Sequence, residues 1–133
     1  MRISYLVGRL DRLLRMRLGD ALEPHRLTLA EYTALSVLEA RSGLSNAQLA
    51  RRALITPQAM NEVLARLESR RLVRRGQAVG RARPAELTAS GRRLLAAADS
   101  SVDAVERSML AGLSREDRTR LRDALDVISR RLI

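Results

Sequence analysis

Cysteine, lysine, phenylalanine and tryptophan are absent from the chain, and histidine occurs once, as His25. The lack of cysteine excludes disulfides and thiolate metal sites, and a single histidine is too few for a histidine-rich metal site. Aromatic residues make up only 2% of the 133 residues, so a core has to be built from aliphatic side chains and methionine. The sequence therefore predicts neither a bound metal nor a cofactor.

Long hydrophobic runs are also missing. No apolar stretch approaches the roughly 18 residues that a membrane-spanning helix needs. Arg9, Asp11 and Arg12 interrupt the N-terminal stretch where a signal peptide would be apolar. We therefore expect a cytoplasmic protein that has no membrane partner.

The residue types of common active sites do not converge at any recognisable spacing. There is no Ser/His/Asp pattern, no pair of carboxylates and no glycine-rich phosphate loop. His25 lies in a Pro-His-Arg connection between predicted helices, where an exposed loop residue is expected and contact with a small ligand is the alternative. The sequence thus predicts a protein that is not an enzyme.

Positive charge is concentrated in the middle of the chain. The 25 basic residues, all of them arginine, exceed the 15 acidic residues to give a net charge of +10. Residues 45–93 hold 11 arginines against 3 acids, net +8, whereas residues 1–44 are net +2 and residues 94–133 are neutral. The planar guanidinium suits phosphate, so a concentrated block of arginine indicates an anionic partner, nucleic acid first.

Helix-start signals predict four helices in the first half of the chain. Apolar residues recur every three or four positions over residues 3–22, which is typical of an amphipathic helix. Thr28 and Ser45 each precede a glutamate or glutamine by three positions, forming capping boxes that predict a helix to about residue 40 and a short helix of about eight residues. Thr56-Pro57 predicts a fourth helix, because proline suits the first helical position.

The second half of the chain predicts a hairpin followed by two helices. Short strands are expected at residues 72–75 and 83–88, with Pro84 confining the second strand to the edge of a sheet. A long helix over about 91–111 and a last helix capped by Ser114 complete the chain. The fold class predicted is mainly α with a small β-hairpin.

Helix, tight turn, helix and hairpin together indicate a helix-turn-helix, whose second helix enters the DNA major groove with its N-terminal residues at base edges. In the stretch ITPQAMNEVLARLESRRLVRR, the apolar stripe from Met60 to Leu67 leaves Gln58, Asn61 and Arg66 outside. Amides match adenine, and arginine matches guanine or phosphate. The candidate residues for binding double-stranded DNA are Ser45, Asn46, Thr56, Pro57, Gln58, Asn61, Arg66, Arg74, Arg75, Arg81 and Arg83.

Apolar surface at both ends of the chain predicts a dimer. The last helix has one apolar stripe in a neutral segment, and the first helix has apolar residues around more of its circumference than one small domain covers. Mutual burial between two subunits accounts for both features. The predicted interface residues are Leu6, Leu10, Leu121, Leu125, Ile128 and Leu132.

The stretch LSNAQLARRALITPQAMNEVLARLESRRLVRR, followed by GRARPAELTASGRRLL, resembles the MarR family of bacterial transcription regulators. The resemblance covers the whole chain, and its most specific part is the hairpin exit at Leu87, Thr88 and Gly91 after RLVRR. It implies a single winged helix-turn-helix domain over residues 1–133. Within it, residues 28–90 form the DNA-binding lobe, and the dimerisation helices lie in the segments 1–27 and 91–133.

The same resemblance implies a homodimeric regulator, a repressor at a palindromic operator in the nucleoid, released by a small effector. Effectors of the family are frequently phenolic or anionic and lie between the dimer helices and the DNA-binding lobe. The candidate effector-binding residues are Arg15, Arg17, His25 and Tyr32.

Two positions depart from the pattern of the family. The hairpin, or wing, usually carries Asp-x-Arg, in which the aspartate braces an arginine that enters the minor groove. Here Arg81 matches the arginine, but Val79 occupies the place of the aspartate. Arg71 stands where the family commonly has glycine. We therefore expect a looser wing, or one that contacts mainly phosphate.

Two other functions remain open from the sequence. The first is a DNA-architectural protein of the same fold that binds without sequence preference and takes no ligand. The second is an arginine-rich helical adaptor for an acidic protein or membrane surface. A single band of protected bases in a footprint favours the regulator, diffuse protection favours the architectural protein, and no affinity for DNA favours the adaptor.

Overall fold

The computed structural model describes residues 1–77 and 83–133. Within them the chain is mainly helical, with one two-stranded antiparallel hairpin, so the predicted fold class is confirmed. The helices are α1 (Ile3–Leu22), α2 (Leu29–Ala40), α3 (Asn46–Ala53), α4 (Pro57–Ser69), α5 (Ala89–Met109) and α6 (Arg115–Arg131). A 3-10 turn, Glu23–His25, joins α1 to α2, and the strands are β1 (Val73–Arg75) and β2 (Ala85–Leu87).

Side-chain caps fix where the helices begin. Thr28 accepts a hydrogen bond from the backbone N–H of Glu31 at 3.1 Å, while the Glu31 carboxylate accepts one from the Thr28 N–H at 3.1 Å. Ser45 and Gln48 make the same reciprocal pair ahead of α3. Each pair satisfies two N–H groups that the first helical turn leaves without partners. The predicted starts of α2 and α3 are therefore confirmed.

The core is aliphatic. It lies between α2, α3, α4, the hairpin and the first half of α5, and Leu22 of α1 reaches it. The largest side chains that are fully buried are Leu22, Leu35, Leu38, Leu49, Met60, Leu64, Leu67, Leu87 and Leu95. Burying a leucine side chain contributes about 1.5–3 kcal/mol, so this cluster holds α4 firmly against the rest of the molecule.

The hairpin is held on two sides. β1 and β2 pair in the register Val73↔Leu87, Arg74↔Glu86 and Arg75↔Ala85. On its other side the Ala85 N–H donates to the Leu44 carbonyl at 3.1 Å, and the Gly43 N–H donates to the Ala85 carbonyl at 3.1 Å. As Pro84 predicts, this strand lies at the edge of a sheet, which has two strands in the part of the chain that the structure describes. The strand begins at Ala85, after the proline, so Pro84 removes no bond from the ladder. The hairpin is thereby tied to the loop that precedes α3.

The chain turns from α4 into β1 at Arg71, which adopts a left-handed conformation with φ of 58°. A residue with a Cβ pays roughly 1–2 kcal/mol for that conformation, which glycine adopts freely. Arginine in place of the glycine that is common in the family therefore costs stability at this turn.

Replacing Arg71 with glycine is expected to relieve this strain. We predict that Arg71→Gly stabilises the fold by about 0.5–1 kcal/mol, and raises Tm by about 2–4 °C. Arg71→Ala is the matched control, because it removes the same side chain but keeps the Cβ. Calorimetry that shows the same Tm for the two variants would mean that the turn carries no conformational strain.

Candidate nucleic-acid interface

Helices α3 and α4 form the predicted helix-turn-helix. The turn between them is short because Leu54 adopts a left-handed conformation, with φ of 56°, directly after α3. The N–H of Ile55 then donates to the Ala50 carbonyl at 3.1 Å, which closes the end of α3. Two capped helices are thus joined with only Leu54, Ile55 and Thr56 between them.

Helix α4 has one buried face and one exposed face. The residues buried against the core are Met60, Val63, Leu64 and Leu67. Gln58, Asn61 and Arg66 are exposed, and Gln58 and Asn61 lie in the first turn and a half of the helix. That end carries the positive end of the helix dipole. An exposed helix start with two amides has the donors and acceptors that a major-groove edge requires.

Three of the other candidates in this region hold the helices in place. The hydroxyl of Thr56 accepts from the Ala59 N–H at 3.1 Å, and that of Ser45 accepts from the Gln48 N–H at 3.2 Å. The Asn46 amide donates to the Pro57 carbonyl at 3.2 Å. Asn46 therefore ties the start of α3 to the first turn of α4, while its side-chain oxygen is buried and accepts no hydrogen bond.

Arginines lie on β1 and just before β2, at the base of the wing. Arg74 lies 3.6 Å from the carboxylate of Glu86 across the hairpin, with both side chains about half exposed or more. The Arg75 Nε donates to the Arg83 carbonyl at 3.2 Å, and the side chain of Arg83 is exposed. The wing positions Val79 and Arg81 lie outside the described residues.

Gly91 allows the hairpin to pack against α5. A Cβ at Gly91 would lie 2.1 Å from the backbone carbonyl oxygen of Leu72, much closer than atoms can approach. Thr88 holds the hairpin against the start of α5, since its hydroxyl accepts from the Gly91 N–H at 3.0 Å and donates to the Arg71 carbonyl at 2.7 Å. The sequence indicates Leu87, Thr88 and Gly91 as a motif, but only the structure shows that the Leu72 carbonyl approaches Gly91 too closely for any side chain there.

The four candidate effector residues do not share one environment. Arg15 pairs with Asp11 at 3.0 Å on the exposed side of α1. Arg17 borders a cleft of about 260 Å³ between α1 and α5. The other residues that line this cleft are Leu10, Leu13, Leu14, Val105, Ser108 and Met109.

His25 and Tyr32 contact α5 nearer to its start. The Nε2 of His25 lies 2.8 Å from the Ser101 hydroxyl, and His25 is half-buried. The expectation of an exposed loop residue is therefore wrong, because α5 packs over the 3-10 turn. The Tyr32 hydroxyl donates to Asp99. Burial and this bond to a carboxylate raise the pKa of Tyr32 to about 12, so its hydroxyl stays neutral at physiological pH.

Two kinds of feature do not occur in residues 1–77 and 83–133. Over these ranges no helix is both long and apolar enough to cross a membrane. The same residues form no cluster of three or more side chains that could hold a metal ion.

The capped tandem helices, the exposed amides on α4 and the arginine-bearing hairpin define a winged helix-turn-helix protein of the DNA-binding class. A model of the MarR family matches residues 26–83. Together with the relatives below, this match shows that the chain belongs to the MarR family, whose members are transcriptional regulators.

The chain has relatives in several bacteria. The HTH-type transcriptional repressor Rv2887 of Mycobacterium tuberculosis is 45% identical over 114 residues, covering 84% of this chain and 82% of the relative. The transcriptional regulator HosA of Escherichia coli O157:H7 is 37% identical over 93 residues, covering 68% of this chain and 69% of the relative.

Solved structures of Rv2887 superimpose on nearly the whole chain. Its complex with DNA has a TM-score of 0.81 and 38% identity, covering 96% of this chain and 98% of the other. Its complex with p-aminosalicylic acid has a TM-score of 0.81 and 40% identity, covering 97% and 99%.

Proposed function

We propose that the protein is a homodimeric repressor that binds a palindromic DNA operator and is released by a small aromatic or anionic effector. The observation that carries the proposal is the exposed face of α4, where two amides and Arg66 stand opposite a fully buried stripe. That face has no role in the core of the chain. Its polar groups match the edges of base pairs, and the arginines around it match phosphate.

The candidate residues divide into three roles. Gln58 and Asn61 contact base edges, and Arg66 contacts a base or phosphate further along the groove. Wing arginines contact the DNA backbone, and the remaining candidates set the position of α4. The backbone set is Arg74, Arg75, Arg81 and Arg83, and the positioning set is Ser45, Asn46, Thr56 and Pro57.

Exposed apolar side chains support the dimer. None of the residues of α6, all of which the structure describes, is buried within one chain, and of α1 only Leu22 is buried. The six predicted interface residues are between 38% and 83% exposed. Apolar surface of this extent marks an interaction site, and a second copy of the same chain covers both helices at once. We therefore assign residues 1–27 and 91–133 to dimerisation and residues 28–90 to DNA binding.

Repression follows from occupancy of DNA. A relative of this chain is named a transcriptional repressor and has been crystallised with DNA. A dimer bound across one face of the duplex excludes RNA polymerase from an overlapping promoter, and no catalytic step is required. The site of action is the nucleoid in the cytoplasm.

Selection of bound sequences from random duplex DNA tests the function. We expect a palindromic consensus whose half-sites lie about 10 base pairs apart, centre to centre, which is the distance between two recognition helices one DNA turn apart. A selected pool without a consensus would favour an architectural protein. Failure to retain DNA at moderate salt would favour an adaptor for an acidic partner.

The cleft between α1 and α5 suits an aromatic carboxylate. Its walls are aliphatic, with Arg17 as the cation and Ser108 as a hydroxyl. This combination binds a ring and pairs with an anion. Arg15, which pairs with Asp11, and His25 and Tyr32, which bond to α5, are candidates for a second contact.

Effector binding should appear as thermal stabilisation. A ligand present at about 100 times its Kd adds about 2.7 kcal/mol to the stability of the folded state. We expect salicylate to raise Tm, its neutral amide to raise Tm much less, and Arg17→Gln to abolish the difference between them. If no aromatic carboxylate shifts Tm, the effector part of the proposal is wrong and the DNA-binding part stands.

A further inference from the structure

One segment of the chain, His25–Tyr32, is bonded to α4 on one side and to α5 on the other. We call it the junction segment. It contains the end of the 3-10 turn, the cap of α2 and the first turn of α2. Arg70, the residue directly after the last turn of α4, makes polar contacts with this segment.

Arg70 makes three contacts with the junction segment. Its guanidinium donates to the Arg26 carbonyl at 2.5 Å and to the His25 carbonyl at 3.4 Å. It also lies 3.7 Å from the second carboxylate oxygen of Glu31. A guanidinium can contact several acceptors at once because its donors are fixed in a planar fork.

Glu31 is the buried partner in this arrangement. It is only 5% exposed, and its other carboxylate oxygen caps α2 by accepting from the Thr28 N–H. A buried carboxylate is costly unless it is paired and hydrogen-bonded. Arg70 therefore pairs with the buried Glu31 carboxylate, whose other oxygen caps the start of α2.

The opposite side of the junction segment is bonded to α5. His25 contacts the Ser101 hydroxyl at 2.8 Å, and Tyr32 donates to Asp99. Ser101 and Asp99 lie in the middle of α5, the helix that continues towards the proposed dimer surface. Polar contacts thus connect the end of the recognition helix to a dimerisation helix through one short segment.

We propose that Arg70 is a positioning residue for DNA recognition, which sets the orientation of α4 relative to α5 through the junction segment. The proposal rests on the proposed function, because it concerns a dimer that reads two half-sites. In such a dimer the orientation of each α4 determines how far apart the two reading faces lie. A small rotation of α4 relative to α5 at the junction segment therefore changes the half-site spacing that the dimer binds.

The test compares DNA sites that differ only in spacing. The selected half-sites are placed at the preferred spacing, one base pair closer and one base pair further apart, and affinities are measured for full-length wild type, Arg70→Gln, Arg70→Lys and Arg52→Gln. Arg52 is the matched control, since it is an exposed arginine in the last turn of α3 and its loss removes the same charge from the same lobe. Tm and dimerisation are measured for every variant.

We expect wild type and Arg52→Gln to prefer one spacing equally strongly, whatever their overall affinity. Arg70→Gln should lower that preference roughly tenfold, which corresponds to about 1.4 kcal/mol, and Arg70→Lys should lie between them because it keeps the charge without the fork. A residue with only a stabilising role would lower Tm and leave the spacing preference unchanged, which would overturn the inference.

A second variant, Ser101→Ala, tests the inference if Arg70→Gln does not fold. Ser101→Ala cuts the contact at the other end of the junction segment, and it should also weaken the spacing preference. An unchanged preference in that variant, with Arg70→Gln unfolded, would overturn the inference too. If wild type itself shows no spacing preference, it is the proposed two-site function that fails.

Discussion

Placing aspartate at Ile128 is expected to separate the subunits and to abolish specific binding to DNA. Ile128 is 48% exposed in one chain, so the substitution leaves the packing of that chain intact. In the dimer it would bury a charge without a partner, which costs more than the contact contributes. Each monomer would then hold one half-site, and loss of the second, intramolecular contact should weaken operator binding by about 10²–10⁴-fold.

Thr119→Asp is the matched control for that experiment. Thr119 also lies in α6, but on the face opposite the apolar stripe, where it is exposed. The Thr119→Asp substitution adds the same charge and should leave both the dimer and the affinity for the operator unchanged. If Ile128→Asp remains dimeric in sedimentation and binds the operator as wild type does, α6 is not the interface.

The second large effect on DNA binding is expected when the amide side chains of Gln58 and Asn61 on α4 are removed. Gln58→Ala and Asn61→Ala should each cost about 1–3 kcal/mol on the preferred site and should flatten the preference at the base pair that each side chain contacts. Both residues are exposed at the start of the helix, so their loss should leave the fold unchanged. Affinities for the selected site and for random DNA, measured at one salt concentration, give the discrimination directly.

Ser69→Ala is the control on the same helix, because Ser69 is exposed but lies in the last turn. It should change neither affinity nor discrimination. Full discrimination in both amide variants would show that another face of the molecule reads the bases.

Local signals predicted the helices because each depends on residues a few positions apart. The Thr28–Glu31 and Ser45–Gln48 pairs are separated by three residues, and both form the reciprocal caps that their spacing indicates. The exposed face of α4 was predictable for the same reason, since the periodicity of one helix defines its buried stripe.

Contacts between distant residues could not be predicted in this way. Ser101 lies 76 positions from His25, and nothing near His25 in the sequence indicates that α5 covers it. Likewise, nothing near Ala85 in the sequence indicates its isolated bridge with Leu44. The role of Arg70 was hidden because, within a run of arginines, only tertiary contacts distinguish one member from the others.

Sedimentation of the protein with a fluorescent operator duplex tests the central claim most directly. The account predicts a dimer at micromolar concentration in the absence of DNA, and a complex of two chains per palindromic duplex, lost when one half-site is scrambled. A monomer that binds one asymmetric site tightly would contradict it.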